Sequence, residues 1–208
     1  LLMYTSYSSN HLNKIKKEST KKTFRKNKKI KVAIINHIAP YKGCKYIVDA
    51  MGKEFIEYPI RIWGEVKSQI EYRKIKEFVE NGFLKIEGSF TPGSWHHDVY
   101  KMDAILNLNE TGLLSNTSIE AIVAQMPQLV CTGNADLTRN VPSLLKNTFI
   151  DIESTDFMKE YREALAFYES FTEIEYKKFL ISQKIFEWGE RFKIEDKEIE
   201  LFFSKTSQ

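Results

Sequence analysis

Residues 100–132 constrain the fold most, because their pattern predicts a strand, a loop, a helix and a second strand in succession. AILNL within YKMDAILNLN (100–109) and QLVCT (128–132) are short apolar runs typical of buried strands. Between them, Thr117 and Glu120 have capping-box spacing, which makes Thr117 the expected N-cap of a helix over 117–126 that Pro127 ends. A helix start beyond the carboxyl end of a strand offers free N–H groups and a positive dipole end, which favour a phosphate.

The same alternation extends along the chain. Further strands are predicted at KVAIIN (31–36), YPIRIWG (58–64), LKIEG (84–88) and TFIDI (148–152). Helices are predicted at 44–55, 67–80, 94–101, within 136–145, and as a long run from about residue 154 to about Gly189. Strands that alternate with helices indicate βαβ units, so the expected fold is α/β: a Rossmann-like parallel β-sheet flanked by helices, with a helical C-terminal extension. Residues 1–30 are expected to be a basic arm or interdomain linker, and 31–208 the folded domain.

Charge is distributed unevenly, although the formal net charge is only +3. Residues 14–31 carry ten Lys or Arg against one acid, Glu18, so the rest of the chain is acidic. A solvated linker is the plain interpretation of this segment, and attraction to an anionic membrane surface is the alternative. Nucleic acid is not expected as a partner, because the segment lacks aromatic residues interleaved for base stacking.

Other features of the sequence bear on membrane insertion, secretion, disulfide formation and metal binding. The sequence has no run of eighteen apolar residues, and LLMYTSYSSN is too short and too polar for a secretory signal. Cys44 and Cys131 lie in apolar settings and are expected to be buried free thiols. A cytoplasmic location is expected, with a peripheral position at the inner face of the membrane as a variant. His96-His97-Asp98 has no further His or Cys at ligand spacing, so no metal site is expected.

Three motifs, in this order and spacing, carry a resemblance to a known family. They are VAIINHIAPYKGCKYIVDAM; RIWGEV followed by LKIEG; and YKMDAILNLN with GLLSNTSIEAIVAQMPQLVCT. From about Lys31 to Ile152 the chain resembles the C-terminal, donor-binding domain of retaining GT-B glycosyltransferases. That group includes bacterial lipopolysaccharide and capsule glycosyltransferases and glycogen synthase.

The resemblance implies a diphosphate site. The family's phosphate-clamping lysine falls on Lys42, and its arginine, five residues earlier, falls on His37. That substitution is a departure, since an arginine is always charged and forks onto phosphate oxygens whereas a neutral histidine offers one donor. Ser115, Asn116 and Thr117 match the loop whose backbone N–H groups meet the diphosphate. Lys42 as a solvated turn lysine and His37 as a loop residue are the plain alternatives.

The resemblance also implies a ribose and sugar site. The acid that holds the nucleotide ribose falls on Glu120, while the first acid of the family's pair falls on Gly112, which has no side chain. Glu110, two residues away, is the replacement expected to meet a sugar hydroxyl. Gly64 matches the glycine that lets the donor approach the backbone. Glu120 as a capping-box residue and Glu110 as an isolated loop carboxylate are the plain alternatives.

The implied function is donor binding in a glycosyltransferase of the hexosyltransferase kind. The resemblance implies a UDP- or GDP-sugar as substrate, retaining transfer in polysaccharide biosynthesis, and neither cofactor nor metal. The acceptor-binding half, which would bring a glycan or lipid-linked acceptor, is not among these 208 residues, so this fragment alone is expected to be inactive. The alternatives are a non-catalytic nucleotide-sugar-binding or assembly subunit with a degenerate site, and a related GT-B enzyme such as an epimerase or phosphorylase.

The aromatic stripe at 157–186 is expected to pack in the core.

Overall fold

Six parallel strands form the centre of the molecule. The computed structural model describes residues 13–17, 24, 29–40, 42–43, 60–89, 98–109, 116–132, 148–151 and 154–183. Within these, the strands are β1 (Val32–Ile35), β2 (Ile60–Trp63), β3 (Leu84–Gly88), β4 (Ala104–Asn109), β5 (Gln128–Thr132) and β6 (Phe149–Asp151). The helices are α1 (Gln69–Glu80), a 3-10 helix (Val99–Lys101), α2 (Asn116–Val123), α3 (Phe157–Glu169) and α4 (Glu173–Gln183).

The strand order is β3-β2-β1-β4-β5-β6. The chain runs outward from β1 to β3, then returns to the other side of β1 with β4. The order therefore reverses between β1 and β4, where Val32 pairs with Ala104 and Ala33 with Ile105. In an open parallel sheet a ligand crevice lies beyond the carboxyl ends of the strands at such a switch point. The α/β parallel-sheet prediction is confirmed.

Both faces of the sheet are covered, which is why β1 is buried along its whole length. Successive strand residues point to opposite faces. Val32 and Ile34 belong to a core cluster with residues of α1, α3 and α4, whereas Ala33 and Ile35 belong to a second cluster with residues of α2. Within the part of the chain described, no helix is long and apolar enough to cross a membrane.

Two helices end in the same motif. After α1, Gly82 donates to the Val79 carbonyl and Phe83 to the Phe78 carbonyl, with Gly82 at φ 76°. These are the two hydrogen bonds of a Schellman motif, and the Phe78 and Phe83 rings supply its apolar contact at 6.5 Å. The predicted stop of this helix at Asn81-Gly82 is confirmed.

Helix α2 differs from its prediction at both ends. It begins at Asn116, so Thr117 lies inside the helix and the predicted N-cap is wrong. It ends at Val123, ahead of Pro127, because Gln125 adopts φ 56° and the chain leaves the helix there. Gln125 and Met126 donate to the Ile122 and Ala121 carbonyls, which is again the Schellman pattern.

The predicted long C-terminal run is two helices. Thr172 accepts from the Glu175 N–H at 3.3 Å, and Glu175 Oε2 accepts from the Thr172 N–H at 2.8 Å. This reciprocal capping box starts α4 and separates it from α3. Burial of Tyr161, Tyr168 and Phe179 confirms that the aromatic stripe is core within 157–183.

The two cysteine predictions have different outcomes. Cys131 is a buried free thiol, as predicted, and burial raises its pKa well above the usual range, which keeps it unreactive. Cys44 lies outside the described residues.

Part of the predicted arm packs against the domain. Ile15, in a short helical segment at 13–17, is only 1% exposed and belongs to the core cluster on the α2 face of the sheet. Phe24 contacts the Tyr176 ring, with centroids 5.3 Å apart. The division of the chain at residue 30 stays a prediction, but these contacts tie pieces of the first segment to the folded body.

Candidate functional site

The chain segments that follow β1 and β2 stay paired beyond the ends of the strands. Asn36 N–H donates to the Trp63 carbonyl at 3.0 Å, and Ile38 N–H donates to the Glu65 carbonyl at 3.0 Å. Ile38 also forms an isolated parallel bridge with Val66. The backbone under the candidate site is therefore held by hydrogen bonds rather than left as two open loops.

Gly64 permits this pairing. A Cβ at Gly64 would lie 1.9 Å from the Asn36 carbonyl oxygen and 3.0 Å from the His37 nitrogen. No side chain fits at that distance, so the glycine is required by the approach of the chain to itself. Its matched role, in which a donor approaches the backbone, stays a prediction.

His37 is held in one hydrogen-bonding state by the paired segments. Its side chain is exposed, and Nδ1 accepts from the Glu65 N–H at 3.2 Å. Because a backbone N–H can only donate, the ring proton of the neutral imidazole is assigned to Nε2. His37 therefore presents one uncharged N–H donor on the side of the ring away from Glu65.

A charged pair lies beside His37. Lys67 Nζ forms an ion pair with the Glu65 carboxylate, and both side chains are largely exposed. The hydrogen bond and charge of Lys67 lower the pKa of Glu65 below its usual value. Glu65 and Lys67 were not predicted as site residues, although they lie in RIWGEVK, directly after a buried strand.

Lys42 lies across the switch point from β2. Its N–H donates to the Ala39 carbonyl at 3.3 Å in a turn. Gly43 follows at φ 78°, and a Cβ there would lie 2.6 Å from Leu108 Cβ. The turn therefore packs directly on the carboxyl-end portion of β4. Lys42 is exposed and lies beyond the carboxyl end of β1, at the edge of the sheet where the strand order predicts a ligand crevice.

The start of α2 lies on the same carboxyl-end side of the sheet, since α2 follows β4 and leads back to the parallel strand β5. Three of the matched residues lie in α2. Asn116 is the first residue of the helix, Thr117 is half-buried, and Glu120 is 2% exposed. Enclosure of Glu120 is consistent with a structural carboxylate as well as with a ribose ligand, so its role stays a prediction. Glu110 and Ser115 lie outside the described residues.

The structure thus brings three matched positions to one edge of the sheet. Lys42 supplies a flexible cation, His37 a ring with a free Nε2, and the beginning of α2 a set of N–H groups with a positive dipole end. Such an edge suits an anionic ligand with several acceptor oxygens. Within the described ranges, no group of three or more His, Cys, Asp or Glu side chains is arranged to hold a metal ion.

Comparison with solved structures identifies the fold. Starch synthase IV from Arabidopsis thaliana, solved with ADP and acarbose, matches with a TM-score of 0.61 at 13% identity over 96% of this chain. The lipopolysaccharide outer core galactosyltransferase WaaB matches with a TM-score of 0.60 at 13% identity over 86% of this chain. A mutant of S. aureus TarM, solved with fondaparinux, α-GlcNAc-glycerol and UDP, matches with a TM-score of 0.51 at 15% identity over 86%. The molecule has the fold of one Rossmann-like half of a GT-B protein.

The matches are partial on the side of the known proteins. The chain spans 43% of the starch synthase catalytic domain, 50% of the WaaB chain and 37% of the TarM chain. No protein-family model and no curated protein sequence matches the chain. Identity this low establishes the fold alone.

Proposed function

We propose that this domain is the donor-binding half of a GT-B glycosyltransferase and binds a nucleoside-diphosphate sugar. One observation carries the proposal: the Lys42-Gly43 turn packs on Leu108 at the β1–β4 switch point, beside the exposed His37. The fold supports it, because neighbours of this fold were solved with ADP or UDP bound.

Each matched residue then has a defined task. Lys42 neutralises the charge that develops on the departing diphosphate, and His37 Nε2–H donates to one of its oxygens. Backbone N–H groups at 115–117 meet the phosphates, Glu120 accepts from the ribose hydroxyls, and Glu110 meets a sugar hydroxyl. UDP- and GDP-sugars are the proposed donors, transfer proceeds with retention, and no metal or cofactor is required.

A second domain completes the enzyme in this proposal. The acceptor hydroxyl must be held within about 3–3.5 Å of the anomeric carbon by another surface. A glycan or lipid-linked acceptor would bind there, so these 208 residues alone should bind donor without useful transfer. A cytoplasmic location, at the inner face of a membrane where residues 14–31 contact lipid, belongs to the same proposal.

Nucleotide titration tests the proposal. UDP and GDP should shift the amide resonances of His37, Lys42 and the start of α2. Lys42→Met should weaken binding about tenfold to a hundredfold, since a charged hydrogen bond contributes about 1.5–3 kcal/mol. Lys85→Met removes a comparably exposed lysine from β3, and we expect it to leave the affinity unchanged. Shifts confined to α3 and α4, or equal losses in both variants, would refute the site.

The non-catalytic alternative is favoured by one observation, the replacement of a charged fork by the uncharged His37 donor. Transfer assays on the protein joined to an acceptor-binding domain, in cis or in trans, separate the two functions. Tight nucleotide binding with no transfer from any donor of a panel would identify a binding or assembly subunit.

A further inference from the structure

A second exposed lysine lies at the same edge of the sheet as Lys42. Lys67 follows β2 as Lys42 follows β1. The N–H groups of Lys67 and Ser68 both donate to the Ile38 carbonyl, each at 3.0 Å. Ile38 is the residue after His37, so the backbone that carries Lys67 is fixed beside the end of β1.

His37, Glu65 and Lys67 form one connected group. The Glu65 N–H donates to His37 Nδ1 at 3.2 Å, and the Glu65 carboxylate pairs with Lys67 Nζ. Val66, between Glu65 and Lys67, forms a parallel bridge with Ile38, so this segment is extended and its alternate side chains point to the same side. Glu65 therefore holds the ring of His37 through its backbone and the ammonium of Lys67 through its carboxylate.

The carboxylates that flank this group, on the first turn of α1 and on β3, have cations of their own. Their ion pairs are Glu71 with Lys74 at 2.7 Å, and Glu87 with Arg61 at 3.3 Å and with Lys85 at 3.0 Å. Glu65 is therefore the carboxylate from which a ligand would have to take Lys67.

Lys42 and Lys67 flank the end of β1 from opposite sides. The Lys42-Gly43 turn packs on Leu108 of β4, whereas Lys67 follows β2. Strands β4 and β2 are the two neighbours of β1, so their backbones lie about 10 Å apart, at about 4.8 Å per strand spacing. Lysine side chains are long and flexible, and both lysines are exposed. A diphosphate over the end of β1 would therefore lie between two ammonium groups.

The pair of Lys67 with Glu65 can be exchanged for a ligand. The Lys67 and Glu65 side chains are 55% and 44% exposed, and ion pairs in such surroundings are weak. A diphosphate carries more charge and more acceptor oxygens than one carboxylate, so the ammonium gains by changing partner.

From this geometry we infer that Lys67 is the second cation of the donor site, held by Glu65 in the free protein and transferred to the diphosphate when the donor binds. The charge that an arginine would bring at position 37 is then supplied from the segment after β2. The inference rests on the proposed function, because it concerns the same ligand.

Affinity for UDP provides the first test. Lys67→Met should weaken binding about tenfold, because it removes a charged hydrogen bond to the diphosphate. Lys67→Arg keeps the charge and should bind within about twofold of the wild type. The matched control is Lys101→Met, which removes an ion-paired lysine of the same 55% exposure from the amino-end side of β4 and should leave the affinity unchanged. These variants should unfold at the wild-type temperature, since exposed ion pairs contribute little to stability.

Titration of the Glu65 carboxyl group shows whether Lys67 changes partner. Lys67 lowers the pKa of Glu65 in the free protein. Departure of Lys67, together with the nearby phosphate charge, should raise that pKa when UDP saturates the protein. In Lys67→Met the rise should be smaller, because only the phosphate charge contributes. Carbon-13 resonances of the carboxyl groups, assigned with Glu65→Gln, measure both titrations.

The outcomes separate this inference from the proposed function. Weaker binding in Lys42→Met but not in Lys67→Met would overturn the role of Lys67 and leave the donor site in place. Equal losses in Lys67→Met and Lys101→Met would overturn it as well, since any surface charge would then serve. An equal rise of the Glu65 pKa with and without Lys67 would show that Lys67 does not leave Glu65. Unchanged affinity in both Lys42→Met and Lys67→Met would refute the donor site itself, and this inference with it.

Discussion

At the scale of single residues, the hydrogen bond of His37 determines which ring nitrogen is left to contact a ligand. Its Nδ1 accepts from the Glu65 N–H, so a protonated ring cannot keep that hydrogen bond without moving. In the neutral ring the N–H donor is therefore at Nε2, whereas an arginine at this position would carry a charge at every working pH.

His37→Arg should therefore strengthen nucleotide binding about tenfold, because arginine adds a permanent charge and a second donor for phosphate oxygens. Isothermal titration with UDP measures the change in affinity. His37→Gln, which adds no charge, serves as the control and should show no such gain. An arginine variant that binds UDP no more tightly than His37→Gln would contradict a phosphate contact by His37.

Gly64 and Gly82 are required for different reasons, and alanine separates them. At Gly64 a Cβ meets the Asn36 carbonyl oxygen at 1.9 Å, so the paired segments must separate and the cost should reach about 3 kcal/mol. At Gly82 a Cβ meets nothing within 4 Å, but φ is 76°, so alanine should cost about 1 kcal/mol. Urea unfolding of both variants gives the free energies of unfolding. A smaller loss for Gly64→Ala than for Gly82→Ala would show that the segments after β1 and β2 are not closely paired.

At the scale of helices and strands, the sequence predicted β3 and β5 to the residue. LKIEG alternates apolar and charged residues after the break at Asn81-Gly82, and QLVCT is a mostly apolar run between Pro127 and Gly133. It did not predict the break between α3 and α4, because every residue around it is compatible with a helix. The T-x-x-E signal was present at Thr172 and Glu175, and only the observed hydrogen bonds show that it starts a new helix.

Thr172→Ala tests that break. Loss of the N-cap should cost about 1 kcal/mol, and Thr172→Ser should cost much less. Hydrogen bonds from Thr172 lower the pKa of Glu175 in the folded protein, so this stabilisation is present above the unfolded pKa and is lost as pH falls through the folded pKa. Alanine removes the Oγ1–H bond to Glu175 but keeps the backbone one, so thermal unfolding should show the difference between wild type and Thr172→Ala narrowing in acid to the part contributed by the N-cap. A difference that stays constant with pH would mean that Glu175 does not pair with Thr172.

At the scale of the whole molecule, the sequence could predict the parallel sheet but not the long-range contacts made by the segments around it. The alternation of strands and helices predicted a parallel sheet, and Lys42 and His37 were located by motif, but the switch point between β1 and β4 is known only from the observed strand order. The contact of Glu65 with His37 joins residues 28 apart in the chain, and no local pattern reveals it. Burial of Ile15 was equally hidden, since one apolar residue within a basic segment has no periodicity.

Ile15 consequently decides whether the first segment is part of the folded domain. Its side chain is 1% exposed, in a core cluster with residues of β1, β4 and α2, so Ile15→Ala should lower the free energy of unfolding by about 2–4 kcal/mol. Ile70→Ala, at a site on α1 that is 70% exposed, is the control and should change it by less than about 0.5 kcal/mol. Urea unfolding measures both. Because Tyr100 Oη donates to the Ile15 carbonyl at 3.3 Å, loss of this anchor should also release 13–17 from Tyr100, visible as increased amide exchange at those residues. Equal stability of Ile15→Ala and Ile70→Ala would show that residues 1–30 are an arm that does not pack on the domain.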